Sequence, residues 1–195
     1  MHSLFLFLLG LCLNLSSLRA QDGFYAKLAA SAESLTEQHV FYDPAYYVIA
    51  YPNGDVPADR GVCTDVVIRA YRKHCIDLQG LVHEDMRKNF AIYPQKWVLK
   101  GPDKNIDHRR VPNLMKYFER FGEVLPKSEV KSDYQPGEII CWNLGGGLTH
   151  IGIVSSRKAA DGKSHLIVHN IGSGQVLEDC LFSWKIIGRY RFKAT

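Results

Sequence analysis

The spacing of apolar residues divides the chain into a helical first part and a strand-like last part. Asp22 to His39 reads as a helix, with Ala26, Ala29, Ala30 and Leu35 as a small-residue face, and Asp43-Pro44 breaks the chain after it. Tyr46 to Tyr51 is a short aromatic and β-branched run that predicts a strand, followed by a turn at Pro52-Asn53-Gly54-Asp55. Cys63 opens the next helix, expected to run to about His74, because Val66, Val67, Ala70 and Tyr71 recur at helical spacing behind it. A short helix is expected from His83 to Phe90, with Glu84 and Asp85 near its positive end. A longer one is expected from Val111 to Val124. Pro112 suits its first turn, Leu114, Met115, Phe118 and Phe121 form an apolar stripe, and Gly122 is its cap.

After Pro136-Gly137 the period changes to two. Glu138 to Leu144 places Ile139, Cys141 and Asn143 on one face and Ile140, Trp142 and Leu144 on the other. Further strands are expected over His150 to Ser155, His165 to Ile171, Gln175 to Leu177 and Ile186 to Phe192, with a hairpin turn at Ala160-Asp161-Gly162-Lys163. Helices first and an antiparallel sheet afterwards define an α+β fold, with N-terminal helices packed on a C-terminal sheet.

The chain has 195 residues, enough for one ordinary core. Residues 1–20 stand apart: Leu4 to Leu15 is almost wholly apolar and Leu18-Arg19-Ala20 precedes Gln21. This is the pattern of an export signal cut after Ala20, leaving 21–195 as a single domain that is periplasmic or secreted. The alternative, a membrane anchor, asks for a longer apolar run. No other stretch is a membrane candidate. The formal charge of +4 on the full chain is mild and its cations are scattered, which excludes a nucleic-acid stripe.

Cys63, Cys75, Cys141 and Cys180 remain after the cut. No Cys-x-x-Cys occurs, so no zinc-finger pattern is present and no metal or other cofactor is expected. His83-Glu84-Asp85 with Asp107-His108 is the one conceivable ligand group, and no spacing demands it. If Cys63 is a free thiol, at most one bridge joins the other three cysteines. Which one it is stays open, as does the oligomeric state.

Two readings fit Cys63: a small core residue, or a nucleophile at the positive end of a helix. His150 opens a strand after Gly145-Gly146-Gly147, and His169 closes the next. Together the three make the Cys–His–polar order of acyl transfer. Cys63 would attack a carbonyl, His150 would move the proton, and a third group would orient His150. Either His169 or Asn170 fits that third place, since neighbours on a strand face opposite ways and the register is unknown. Asp65 points about 200° from Cys63 around an ideal helix, where it suits the helix terminus and a pair with Arg69. Turned toward the sulfur it would weaken the nucleophile. Asn105-Ile106-Asp107-His108-Arg109-Arg110 is either a helix start with Asp107 as cap, or a place where Arg109 or Arg110 holds a substrate carboxylate.

Cys63 with its helix, His150-Ile151-Gly152-Ile153-Val154 and Ile167-Val168-His169 resemble the NlpC-type cell-wall cysteine peptidases. The resemblance implies a papain-like fold and hydrolysis of amide bonds in peptidoglycan stem peptides, with Asp65, Asp107, His108, Arg109, Arg110 and Asn170 around the substrate. Those peptidases often carry Asp-Cys-Ser-Gly at the nucleophile, whereas this chain has Val62-Cys63-Thr64-Asp65. A non-catalytic wall-peptide-binding module on the same fold is the alternative. Almost the whole of 21–195 also looks like the bacterial domain-of-unknown-function family 1287, the YijF-like proteins. That likeness runs through Tyr51 to Pro57, Gly61 to Tyr71, Asn105 to Leu114 and His169-Asn170-Ile171-Gly172.

Overall fold

The computed structural model describes residues 23–194, so the expected export signal lies outside the described residues. The first helix, α1 (23–35), buries Tyr25, Leu28, Ala29, Ala32 and Leu35. Ala26 and Ala30, expected inside, are exposed. The larger side chains at Tyr25 and Leu28 carry more apolar area, and they take the core face. Strands β1 (Phe41–Tyr42) and β2 (Arg60–Gly61) form a two-residue parallel ladder. This ladder, with Asp43 N–H donating to Gly61 O, holds the chain just ahead of Cys63.

The segment between them is not the expected strand. Residues 43–50 form no ladder, because no partner backbone runs alongside and Val48 is 84% exposed. Side chains fix it instead: Tyr47 donates to Asp43, Tyr46 to Asp103, and Ile49 N–H to Asn105.

Helix α2 (Cys63–Arg72) buries Cys63, Thr64, Asp65, Val66, Val67, Ile68, Ala70 and Tyr71, and only its two arginines reach outward, onto Asp55. Arg69 therefore pairs with Asp55, not with Asp65. Helix α3 (Leu78–Asn89) starts five residues before the expected His83. Asp77 caps it by accepting the Gln79 N–H, so Glu84 and Asp85 sit in mid-helix, away from the positive end. Helix α4 (Val111–Phe121) starts at the expected residue with Pro112 in its first turn and Gly122 as its cap. Leu114 and Phe118 are fully buried, while Phe121 at the end of the stripe is half exposed.

The last part is a six-stranded antiparallel sheet of β3 (Glu123–Val124), β4 (Ile139–Gly145), β5 (Leu148–Lys158), β6 (His165–Asn170), β7 (Gln175–Glu178) and β8 (Lys185–Arg191). Its spatial order is β3-β8-β4-β5-β6-β7. The chain is thus α+β, as the change of period predicts. The alternation in β4 holds residue by residue. Ile139 and Cys141 pack with the helices in one apolar cluster, together with Cys63, Ile151, Ile153 and Val168. Ile140 and Trp142 pack in a second cluster with Val154, Ile167, Tyr134, Cys180 and Leu181. The sheet is covered on both faces, by helices on one side and by the chain around 134 and 180–184 on the other. Among the described residues, Cys63, Cys75, Cys141 and Cys180 are all free thiols, and no helix is long and apolar enough to cross a membrane.

Candidate active site

Strand register brings the two histidines together. His150 pairs with Trp142 across β4, and its ring lies 5.7 Å from the Trp142 ring. His169 stands on β6, on the same face as Ile167 and His150. Gly152 makes the approach possible: a Cβ there would lie 2.8 Å from Ile167 Cγ2 and 2.9 Å from Val168 O. With β6 drawn in, His150 Nε2 and His169 Nδ1 are 2.9 Å apart. Trp184 lies over both rings at 5.8 and 6.5 Å.

Asn170 faces the opposite side of β6 and donates to Gly61 O at 3.2 Å. His169 is thus the hydrogen-bond partner of His150, and Asn170 secures the loop before Cys63. On its far side, His169 Nε2 lies 3.1 Å from Glu178 Oε2 and 3.5 Å from Cys180 Sγ. Glu178 and Cys180 had no signal in the local pattern. Glu178 pairs with Ile167, two residues from the His169–Val176 pair, so it reaches His169 as a diagonal cross-strand neighbour. Only the register of β6 and β7 reveals this. Cys180 is buried and in contact with an imidazole.

The contacts fix the proton positions. A carboxylate only accepts, so the His169 Nε2 carries the proton it gives to Glu178. His169 Nδ1 is then an acceptor, and His150 Nε2 must donate to it. The lone pair of His150 is left on Nδ1, which has no hydrogen-bond partner among the described residues. Both rings are neutral. Burial and the neighbouring His169 bring His150 down to about 3, and burial holds His169 below the ordinary imidazole value against the pull of Glu178.

Cys63 begins α2 on the other face of β5. Its sulfur accepts the Ile151 N–H, and the N–H groups of Thr64 and Cys63 itself also approach it. Burial pushes the thiol up to about 12, the three N–H groups oppose that shift, and the Asp65 charge adds to it. Among the described residues no hydrogen bond joins Cys63 to His150. The resting thiol and imidazole are both neutral and stand on opposite faces of β5, and the contact required for proton transfer is not made in this conformation. Hydrogen bonds of this kind often form only with substrate in place.

Asp65 does not turn toward the sulfur. It accepts the Val62 N–H at 2.7 Å, closing the helix start, and its two oxygens hold Arg109 Nε and Nη2 at 3.0 and 3.1 Å. Arg109 Nη1 donates to Ala45 O, and Thr64 Oγ1 donates back to Arg109 O. Arg109 is 8% exposed and its donors are engaged inside the protein, so it ties the loop around 107–109 to α2. Arg110 is the cation left facing the cleft. Its guanidinium stacks 4.1 Å above the Trp97 ring and lies 3.3 Å from Asp107.

Asp107 is no helix cap. It lies in a single short 3₁₀ turn (Asp107–Arg109) that precedes α4, fully buried, with its carboxyl raised to about 6 by that burial. His108 is buried beside it, lowered to about 3, with Nδ1 unpartnered. The ligand group conceivable from the sequence, His83-Glu84-Asp85 with Asp107-His108, does not assemble: Glu84 holds Tyr51 and Arg87, and Asp85 holds Arg120 and Tyr93.

A cleft of about 460 Å³ opens over the start of α2. Cys63, Tyr42, Trp97, Arg110 and Leu148 line it. Its walls include one thiol, two aromatic rings, two arginines (Arg109, held by Asp65, and Arg110) and the glycine-rich rim of β5, a surface suited to an extended peptide that carries a carboxylate.

Residues 29–192 match the family described as "Domain of unknown function (DUF1287)". The chain is 56% identical over 165 residues to the "Uncharacterized protein YijF" of Escherichia coli (strain K12), which covers 85% of this chain and 80% of that relative. No solved structure matches. A match over nearly all the described residues, and a relative of this identity, place the chain in the DUF1287 family.

Proposed function

We propose that the protein is an exported cysteine hydrolase of papain-like, NlpC-type architecture that cleaves amide bonds in peptidoglycan stem peptides. The observation that carries this reading is the oriented pair of imidazoles, His150 Nε2 to His169 Nδ1 at 2.9 Å, which leaves the basic nitrogen of His150 free beside the strand position that hydrogen-bonds Cys63. Proton transfer requires the start of β5, next to Gly145-Gly146-Gly147, to rearrange with substrate in the cleft, because the Cys63 thiol and His150 Nδ1 stand on opposite faces of β5 at rest. The Cys63 proton passes to His150, the sulfur bonds to the scissile carbonyl carbon, and the carbonyl oxygen takes the displaced electron pair. The N–H groups that now approach the sulfur are placed to donate to that oxygen. His150 then protonates the leaving amine as the C–N bond breaks, and water hydrolyses the thioester by the reverse proton path. Arg110 receives a stem-peptide carboxylate above Trp97. Residues 1–20 supply the export that brings the domain to its substrate in the cell envelope.

The test is incubation of purified protein with defined muropeptides and separation of the products. A shortened stem from the wild type and none from Cys63→Ala supports the reading. Equal cleavage by Cys63→Ala overturns the mechanism. Arg110→Ala is expected to raise KM with little change in kcat.

A second reading has its own support. A buried, neutral thiol with no bond to His150 suits a non-catalytic module that binds wall peptides. Alkylation at about pH 6 separates the two, since a thiolate there reacts fast. Inert Cys63 in the presence of bound muropeptide, with muropeptide left uncut, identifies the module.

A further inference from the structure

Behind the imidazole pair, three potential ligands converge. His169 Nε2, Glu178 Oε2 and Cys180 Sγ all lie within 4.8 Å of one another. Cys180 and His169 are buried and Glu178 is half exposed, so the group is walled on one side and open to solvent on the other. The spacing has the scale of a coordination shell. Ligands at about 2.1 Å (nitrogen, oxygen) and about 2.3 Å (sulfur) from a tetrahedral zinc are separated by roughly 3.4–3.6 Å. The observed separations are 3.1 Å for nitrogen to oxygen and 3.5 Å for nitrogen to sulfur. The outer support is also present: His169 turns its other nitrogen to His150, as ligating imidazoles turn theirs to a second group. Trp184 lies against the ring and limits its rotation. Among the described residues this is the one group of three or more His, Cys, Asp or Glu side chains so placed.

We propose that His169, Glu178 and Cys180 form a binding site for a borderline-soft divalent cation such as Zn²⁺, with water in the fourth position. One nitrogen, one thiolate and one carboxylate are the donor set that suits zinc over magnesium or calcium. Binding releases the Cys180 thiol proton to solvent, as thiolate ligation requires.

Occupancy has a consequence that rests on the hydrolase reading. With Nε2 on the metal, the neutral His169 carries its proton on Nδ1 and gives it to His150 Nε2. His150 then holds its own proton on Nδ1, the nitrogen required as the base. The cation reverses the direction of the relay and switches the proposed active site off without touching Cys63.

The experiment uses the reduced, chelator-treated chain from residue 21 onward and Co²⁺ as a spectroscopic probe, with Zn²⁺ as competitor. The wild type is expected to take up one Co²⁺ per chain with a thiolate-to-metal charge-transfer band and intense tetrahedral d–d bands, both displaced by Zn²⁺. Cys180→Ser should lose the charge-transfer band. Cys63→Ala and Cys141→Ala should keep it. Glu178→Gln, at a half-exposed position where folding is not at risk, should weaken Co²⁺ binding at least tenfold. No stoichiometric binding, or a charge-transfer band that survives in Cys180→Ser, overturns the site. The spectra are read without any turnover, so the site and the hydrolase reading fail separately. If muropeptide cleavage is seen, Zn²⁺ should suppress it in the wild type and not in Cys180→Ser, each compared with its own metal-free rate. Equal suppression in both overturns the switch.

Discussion

Asp65 holds Arg109 through both carboxylate oxygens, at 3.0 Å to Nε and 3.1 Å to Nη2, with both side chains 3% exposed. This pair joins the first turn of α2 to the loop that carries Arg110 into the cleft. A buried ion pair adds little over an apolar substitute, but removing one partner strands the other. Arg109→Ala is therefore expected to cost about 3–5 kcal/mol, read from denaturant midpoints. The double variant Asp65→Ala/Arg109→Ala should lose clearly less than the two single losses added together. Additive losses would show that the pair is not a unit.

Glu178 acts on His150 through His169. A glutamine at 178 can donate as well as accept, so Glu178→Gln removes the obligation that sets both imidazole tautomers. In the metal-free protein the expected result is a fall in kcat of about tenfold or more with KM little changed. The ¹⁵N shifts of His150 should move from a single Nε2-protonated tautomer to a mixture. Unchanged tautomers with reduced activity would mean that Glu178 acts in some other way.

His108 predicts an acid-sensitive fold. Its folded value, about 3, lies below that of the unfolded chain, about 6.5, because burial and the charges of Arg109 and Arg72 disfavour the imidazolium. Between these values the unfolded chain binds a proton that the folded one does not, so stability rises with pH there and is lost on acidification. Asp107, raised to about 6, opposes this: stability falls as pH rises from its unfolded value through about 6. His108→Phe is expected to flatten the acid limb, recovering up to roughly 3 kcal/mol at pH 4 relative to its effect at pH 7. An acid limb identical to that of the wild type would exclude His108 as its source.

Gly152 is where β6 meets β5. Gly152→Ala puts a methyl group 2.9 Å from a backbone oxygen, which cannot yield without moving β6. The variant is expected to lose about 1–3 kcal/mol and to lengthen the His150–His169 contact. A structure of Gly152→Ala with that contact still at 2.9 Å would show that the glycine is not what permits it.

The elements that the sequence announces are those whose signal is local. The i, i+3, i+4 repeat behind Cys63 requires a helix that buries that face, and α2 begins at Cys63. Alternation in Ile139-Ile140-Cys141-Trp142 requires a strand covered on both sides, and the two apolar clusters divide these residues alternately. Tyr46 to Tyr51 has strand composition and is not a strand, because a strand needs a neighbour and none is there. In α1 the face rolled toward Tyr25 and Leu28, since burial rewards area and not small size alone.

For the candidate site, the sequence by itself determined that a cysteine starts a helix, that a histidine opens one strand, and that His169 and Asn170 end the next on opposite faces. Tertiary structure decided the rest. It set His169 against His150 and Asn170 against Gly61, engaged Arg109 with Asp65, stacked Arg110 on Trp97 at the cleft, brought Glu178 and Cys180 to the far side of His169, and placed the thiol and the imidazoles on different faces of β5. The physical reason is that period is a property of neighbouring residues, whereas these pairings depend on strand register, and a shift of one residue in register exchanges the two faces of a strand.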